Sequence, residues 1–429
     1  MSAARRLRRG ATRAMVGLAL AAPLLGALVV WLNVRGEMPL PPETPLTSPP
    51  SADVARGAYL VKAGNCIGCH TTPGGAALAG GRPIETPFGA VFAPNLTPDD
   101  DTGLGRWTAS EFWRAMHHGR SRNGRLLYPA FPYTSFTQMT RQDVDAVYAY
   151  LRSVPAVKQP PRAHALRFPY STQPALAVWR ALYFRAGHFS TVEEQSDAWN
   201  RGKYLVEGLG HCAACHASRN ALGAARLHAG LGGGLMTDGG WYAPALSDPA
   251  EAGVQQWPRA QVVQLLKTGV SPTASVSGPM ADVVHDSTQH LDEADLDAMA
   301  QYLISLPPVA ASTPTEAAPA TPEAMLRGAE VYAQACAACH GKQGEGVAGI
   351  YPALAGNRAV TWPSPHNLVQ MVRHGGFAPT TEGNPRPFGM PPFAQTLSND
   401  DVAAVVTYLR QSWGHRASAV SALQVSRIR

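Results

Sequence analysis

All six cysteines of this chain fall in one pentapeptide that occurs three times: Cys66-Ile67-Gly68-Cys69-His70, Cys212-Ala213-Ala214-Cys215-His216 and Cys336-Ala337-Ala338-Cys339-His340. This spacing is that of c-type haem attachment. Two thiols can add across the haem vinyl groups while the adjacent histidine supplies a proximal iron ligand. The pattern predicts three covalently bound haem c groups. They would be held by Cys66 and Cys69, Cys212 and Cys215, and Cys336 and Cys339, with iron on His70, His216 and His340. No cysteine is left for a disulfide or a zinc site. Redox Cys-x-x-Cys pairs would need a chance histidine in all three copies.

A chain of 429 residues has room for about three domains, and the intervals around the motifs repeat. Each motif follows a similar stretch: Arg56-Gly57-Ala58-Tyr59-Leu60, Arg201-Gly202-Lys203-Tyr204-Leu205 and Arg327-Gly328-Ala329-Glu330-Val331-Tyr332. Downstream stand Pro94-Asn95-Leu96, Pro244-Ala245-Leu246 and Pro352-Ala353-Leu354, then Trp107, Trp257 and Trp362 at the head of a second helical pattern. Those patterns stop at Gly119, Gly269 and Gly375. A third helix closes each unit, over Thr140 to Arg152, Asp292 to Ser305 and Ser398 to Gln411. Asp143, Asp295 and Asp401 follow each cap by three positions, close to a capping box. The order resembles the small all-α cytochrome c fold. The expected architecture is all-α: three tandem cytochrome c-like domains behind an N-terminal transmembrane helix. Its boundaries are an anchor over 1–35, domain 1 over 52–157, a linker over 158–195 and domain 2 over 196–309. A Pro/Ala linker follows over 310–322, then domain 3 over 323–413 and a tail over 414–429.

Iron takes a second axial ligand, and the repeat points to it. Met280 stands 36 residues after Pro244, and Met390 stands 38 after Pro352, both in Gly/Pro loops. His/Met ligation raises the reduction potential. In the first repeat the matching position, 37 residues after Pro94, is Phe131, which cannot ligate. Either another side chain does so or haem 1 is five-coordinate. Met139 is the first candidate, with Met116 and His118 next. A five-coordinate haem 1 would open a second reading, a haem enzyme or ligand sensor.

Arg5, Arg6, Arg8, Arg9 and Arg13 precede 21 residues without charge, Ala14 to Val34. As a helix this run would span about 31 Å, close to the hydrocarbon thickness of a bilayer. The basic flank predicts a cytoplasmic N-terminus, with the rest on the periplasmic side of a bacterial inner membrane. A cleaved signal peptide is the competing reading; the length of the run favours a retained anchor. The net charge of +6 owes five charges to those first thirteen residues. It is a topology signal, and a nucleic-acid partner is not expected.

The chain resembles the triheme cytochrome c subunits of bacterial membrane-bound dehydrogenases, the alcohol and gluconate dehydrogenase group. The resemblance runs from about Ser51 to Trp413. It rests on Gly80-Gly81-Arg82-Pro83-Ile84-Glu85-Thr86-Pro87-Phe88-Gly89, on Pro94-Asn95-Leu96-Thr97-Pro98-Asp99, on Tyr128 to Ser135, on Trp241-Tyr242-Ala243-Pro244 and on Gly278-Pro279-Met280. Phe131 is more like the cytochrome subunits that accompany molybdenum hydroxylases, such as aldehyde or N-heterocycle oxidoreductases. The resemblance implies that the carbonyls of Pro94, Pro244 and Pro352 accept a hydrogen bond from the haem-ligating histidines. It also implies an electron-transfer subunit, not catalytic alone. Its partners would be a catalytic dehydrogenase subunit of PQQ, flavin or molybdenum type and a quinone or terminal oxidase as acceptor.

Overall fold

The computed structural model describes residues 15, 21–226, 230–236, 240–308 and 317–428. The five N-terminal arginines and most of the 310–322 linker lie outside the described residues.

Residues 21–34 form helix α1. Domain 1 follows with α2 (Ser51–Ala63), α3 (Cys66–His70), the hairpin β1 (Pro83–Thr86) and β2 (Gly89–Phe92), then α4 (Ala109–His118), α5 (Tyr133–Phe136) and α6 (Arg141–Ser153). The connecting stretch contributes β3 (Ala165–Leu166) and α7 (Gln173–Tyr183). Domain 2 has α8 (Asp197–Lys203), a π-helical turn (Tyr204–Leu209), α9 (Ala213–His216), β4 (Gly234–Leu235), β5 (Tyr242–Ala243), α10 (Arg259–Thr268), β6 (Val270–Ser271), β7 (Ala274–Ser275), α11 (Pro279–Asp286) and α12 (Glu293–Ser305). Domain 3 has α13 (Pro322–Ala335), α14 (Ala337–His340), α15 (Arg358–Thr361), α16 (His366–His374), β8 (Gly376–Phe377), β9 (Gly389–Met390), α17 (Asn399–Gln411) and α18 (Ala422–Arg427).

The first and last helices of each domain cross where the repeat places its Arg-Gly pair. A Cβ on Gly57 would come 1.9 Å from the Ala146 carbonyl oxygen, one on Gly202 1.9 Å from that of Ala298, and one on Gly328 2.4 Å from that of Ala404. Only glycine lets the two backbones approach this closely. The interval from the repeat arginine to the first cysteine is one residue longer in domain 2 than in domain 1. The extra residue is absorbed as the π turn, a common outcome of a single insertion in a helix. The middle helices α4 and α10 end on Gly119 (φ 57°) and Gly269 (φ 75°), as left-handed caps require.

Three expectations are corrected. The chain is not all-α: β1, β2 and β3 form one antiparallel sheet, and three two-stranded ribbons accompany it. The loops between the helices must satisfy their own backbone polar groups, and short hairpins do this locally. In the 158–195 linker, Ala165 and Leu166 extend that sheet beside Ala90 and Gly89. The N-terminal transmembrane helix is not supported, because no helix among the described residues is long and apolar enough to cross a membrane. The last turn of α1 is committed to protein contacts: Asn33 Nδ2 donates to the Ala177 carbonyl (2.9 Å), and Asn33 Oδ1 accepts from Arg180 Nε (3.0 Å). The placement in the inner membrane with a cytoplasmic N-terminus rested on that span and falls with it.

Domains 1 and 2 share one apolar core, in which Leu60, Val144, Leu205, Val206 and Leu296 are all buried. Domain 3 has a separate core around Val369, Val405 and Val406. Residues beyond Trp413 join that second core through Val420, Val425 and Ile428.

Candidate haem-attachment sites

Each Cys-x-x-Cys-His segment forms a single helical turn, which brings the two thiols and the imidazole to one end of a short element. None of the six cysteines is in a disulfide. Burial pushes the Cys66 thiol up to about 12, with neighbouring Cys69 adding to the effect, and does the same to Cys212 beside Cys215. Burial likewise raises Cys336 to about 11. Redox Cys-x-x-Cys pairs need thiols shifted the other way, so the environment disfavours thiol–disulfide chemistry.

The three histidines are held alike. His70 Nδ1–H donates to the Pro94 carbonyl at 2.8 Å, His216 Nδ1–H to Pro244 at 2.7 Å, and His340 Nδ1–H to Pro352 at 3.0 Å. A carbonyl can only accept, so Nδ1 carries the proton and Nε2 keeps a free lone pair. This is the arrangement in which an imidazole is oriented and made more basic for a metal. Burial holds His70 and His216 below the usual histidine range, which keeps them neutral and able to ligate.

These residues fit a covalently held haem: cysteine pairs outside any disulfide, fixed tautomers and an unspent donor. The donor is in domain 3, where the buried Trp362 Nε1 has no partner among the described residues. Beside it, Arg410 is buried and donates to carbonyls, at 2.9 Å to Ser418, 3.1 Å to Val360 and 2.8 Å to Trp362. Burial pushes the Arg410 guanidinium down to about 10. A carboxylate such as a haem propionate suits both groups.

The methionines separate into two kinds. Met280 opens α11 and is half-buried against the shared core, and Met390 lies in β9, half-buried against the domain 3 core. Met139 is 2% exposed, one residue before the N-cap of α6 and wholly enclosed. Met116 is also buried, on α4. Phe131 packs on Phe136 with ring centroids 5.4 Å apart. For His118, on the last turn of α4, burial lowers the pKa to about 4, with Arg180, Arg120 and Arg114 nearby adding to the shift.

Sequence reasoning missed a reciprocal network at the seam of domains 1 and 2. Arg56 Nε donates to Asp143 Oδ1 (2.7 Å), and Tyr204 of domain 2 donates to Asp143 Oδ2 (2.6 Å). In the mirror arrangement Arg201 Nε donates to Asp295 Oδ1 (2.8 Å), and Tyr59 of domain 1 donates to Asp295 Oδ2 (2.7 Å). Each carboxylate therefore serves an arginine in its own domain and a tyrosine in the other. The expected capping box forms only in α17, between Ser398 and Asp401. In α6 and α12 the acid is diverted to the network. The available signal was the Tyr shared by the first two repeats, where domain 3 has Glu330.

Comparisons with known proteins agree with this geometry. The family model described as Cytochrome c matches residues 54–155, 200–307 and 325–413. The chain is 38% identical over 406 residues to the alcohol dehydrogenase (quinone) cytochrome c subunit of Gluconacetobacter polyoxogenes, covering 90% of this chain and 86% of that one. It is 36% identical over 393 residues to the gluconate 2-dehydrogenase cytochrome c subunit of Pantoea cypripedii, covering 88% and 89%. It is 40% identical over 402 residues to a nicotinate dehydrogenase subunit of Pseudomonas putida, covering 92% of this chain and 33% of that longer one. The chain belongs to the cytochrome c family, among the dehydrogenase cytochrome c subunits, and it carries three covalently bound haem c groups, one per repeat.

Proposed function

We propose that this chain relays electrons from a catalytic dehydrogenase subunit to a quinone or a terminal oxidase. The observation that carries the reading is the threefold Nδ1–H to proline-carbonyl bond, which leaves the Nε2 lone pair available beside two cysteines outside any disulfide in every domain. Bound haem supplies reversible one-electron chemistry at iron. The chain's own part is to attach, orient and bury. Cys66, Cys69, Cys212, Cys215, Cys336 and Cys339 would form the thioethers, and His70, His216 and His340 would bind iron. Met280 and Met390 would supply a second ligand in domains 2 and 3, and Met139 in domain 1. The relatives' names span alcohol, gluconate and nicotinate dehydrogenases. The names differ in substrate, so substrate choice belongs to the catalytic partner, of PQQ, flavin or molybdenum type.

The ligand assignment is tested with Met280→Ala and Met390→Ala. Each is expected to change the potential and spectrum of one haem while covalent haem content stays at three. Unchanged potentials in both would remove these ligands. A second reading, a haem enzyme or sensor acting at a five-coordinate haem 1, is favoured by Phe131 at the ligand position. Carbon monoxide added to the reduced protein separates the two. Binding at one haem with peroxide turnover by the purified subunit supports catalysis, and neither supports relay.

A further inference from the structure

His211 has no part in haem attachment or ligation, yet it lies between two haem-attachment segments. It directly precedes Cys212 and adopts φ 40°, a left-handed conformation uncommon for a residue with a Cβ. Its ring is half-buried at the seam of domains 1 and 2. One edge meets Phe136 of α5 at a centroid distance of 5.4 Å and an angle of 84°. Its Nε2–H donates to the carbonyl of Gly64 at 3.2 Å. Gly64 caps α2, two residues ahead of Cys66. Burial keeps the ring neutral, and the carbonyl partner places its proton on Nε2.

The approach is close on both sides. A Cβ on Gly64 would come 3.1 Å from Leu209 Cδ1. From the other flank, Ser287 Oγ of domain 2 donates to the Ala63 carbonyl at 3.2 Å. The other two repeats send no such ring across. Asn65, which holds the equivalent place in domain 1, is also left-handed (φ 48°), but its side chain lies over Gly68 of its own motif. Domain 3 has Ala335 there.

We infer that His211 is a positioning residue that fixes the domain 1 and domain 2 attachment segments against each other and carries the electronic contact between haem 1 and haem 2. The route runs from Cys212 through the His211 backbone and ring, across the hydrogen bond to Gly64, and along Asn65 to Cys66. One electron leaves a ferrous iron and reduces a ferric one; no bond forms or breaks and no proton moves, in keeping with a ring held neutral. The inference rests on Cys66 and Cys212 being haem attachment points.

The test uses the full chain carrying three haems, with haem content measured first, so that a failure of attachment is seen separately. His211→Asn keeps the left-handed backbone but is too short to reach Gly64, and His211→Gln returns an N–H near the original Nε2 position. Haem potentials, thermal unfolding and the rate of electron redistribution after rapid photoreduction are compared. His211→Asn should slow redistribution between haems 1 and 2 at least several-fold with potentials unchanged, and His211→Gln should recover most of the rate. Tyr204→Phe, which loosens the seam without touching the bridge, should leave the rate near that of the parent. Unchanged redistribution in His211→Asn, or equal slowing in the Asn, Gln and Tyr204→Phe proteins, would overturn the assignment. If His211→Asn does not fold, slow redistribution in a folded His211→Gln protein overturns it as well.

Discussion

Domains 1 and 2 differ from domain 3 in how they hold their neighbours. The first two are joined by a common apolar core and by two buried carboxylates that each bind a tyrosine from across the seam. Domain 3 docks on domain 2 through side chains that reach backbone. Asn367 pairs both ways with Tyr242, at 2.8 and 2.7 Å, and Arg358 donates to the Gly253 carbonyl at 2.8 Å while lying over the Trp257 ring. A shared core cannot be separated without exposing apolar surface. A polar docking face can exchange its hydrogen bonds for water at small net cost. The repeats are alike in sequence, but two behave as one body and the third as an attached unit.

The strongest challenge to this contrast is overpacking at the helix crossings. Gly202→Ala puts a methyl into the Ala298 carbonyl, and the cost should be about 3 kcal/mol or more because backbone cannot swing aside. Hydrogen exchange resolved by domain should then rise in domains 1 and 2 together. Gly328→Ala should loosen domain 3 alone. If Gly202→Ala leaves domain 1 protected, the two are not one unit.

A smaller effect is expected from the seam tyrosines. Tyr59→Phe and Tyr204→Phe each remove a hydrogen bond to a carboxylate, worth about 1.5–3 kcal/mol. Each should lower the melting temperature of the paired domains and leave domain 3 unmoved. By contrast, Arg327→Ala breaks a pair whose arginine side chain is half exposed, and it should cost about 1 kcal/mol or less.

The smallest effect concerns acid. Burial would raise the Asp295 carboxyl, but hydrogen bonds from Arg201 and Tyr59 outweigh it and hold the group below the usual range. An acid depressed in the folded state adds stability that is present above its unfolded value of about 3.9 and lost as pH falls through the lower folded one. Acid melts should weaken the paired domains over that window, and Asp295→Asn should remove that part of the pH dependence. An unaltered acid profile in the variant would mean that other carboxylates dominate.

Much of the site was legible. The pentapeptide named its own chemistry, and the Pro-x-Leu resemblance pointed to the carbonyls that the histidines meet. Glycine stops and Ser, Thr and Asp caps marked the helices because those residues act on backbone groups within a few positions. Other features escaped for physical reasons. The Tyr59–Asp295 bond links residues 236 apart, and no local pattern encodes it. Asp143 and Asp295 carry a capping signature that tertiary partners override. The charge-free run after Arg13 looked like a span because hydropathy ignores where Asn33 finds its hydrogen bonds.

The sequence by itself determined the cofactor, its number and the three-unit repeat, since covalent attachment needs particular atoms at short range and local periodicity suffices to place them. Only the tertiary structure decided which units fuse, where the short hairpins lie and what the N-terminal helix touches. Those outcomes turn on contacts between distant residues competing for the same buried polar groups, and that competition is settled only when the chain is folded.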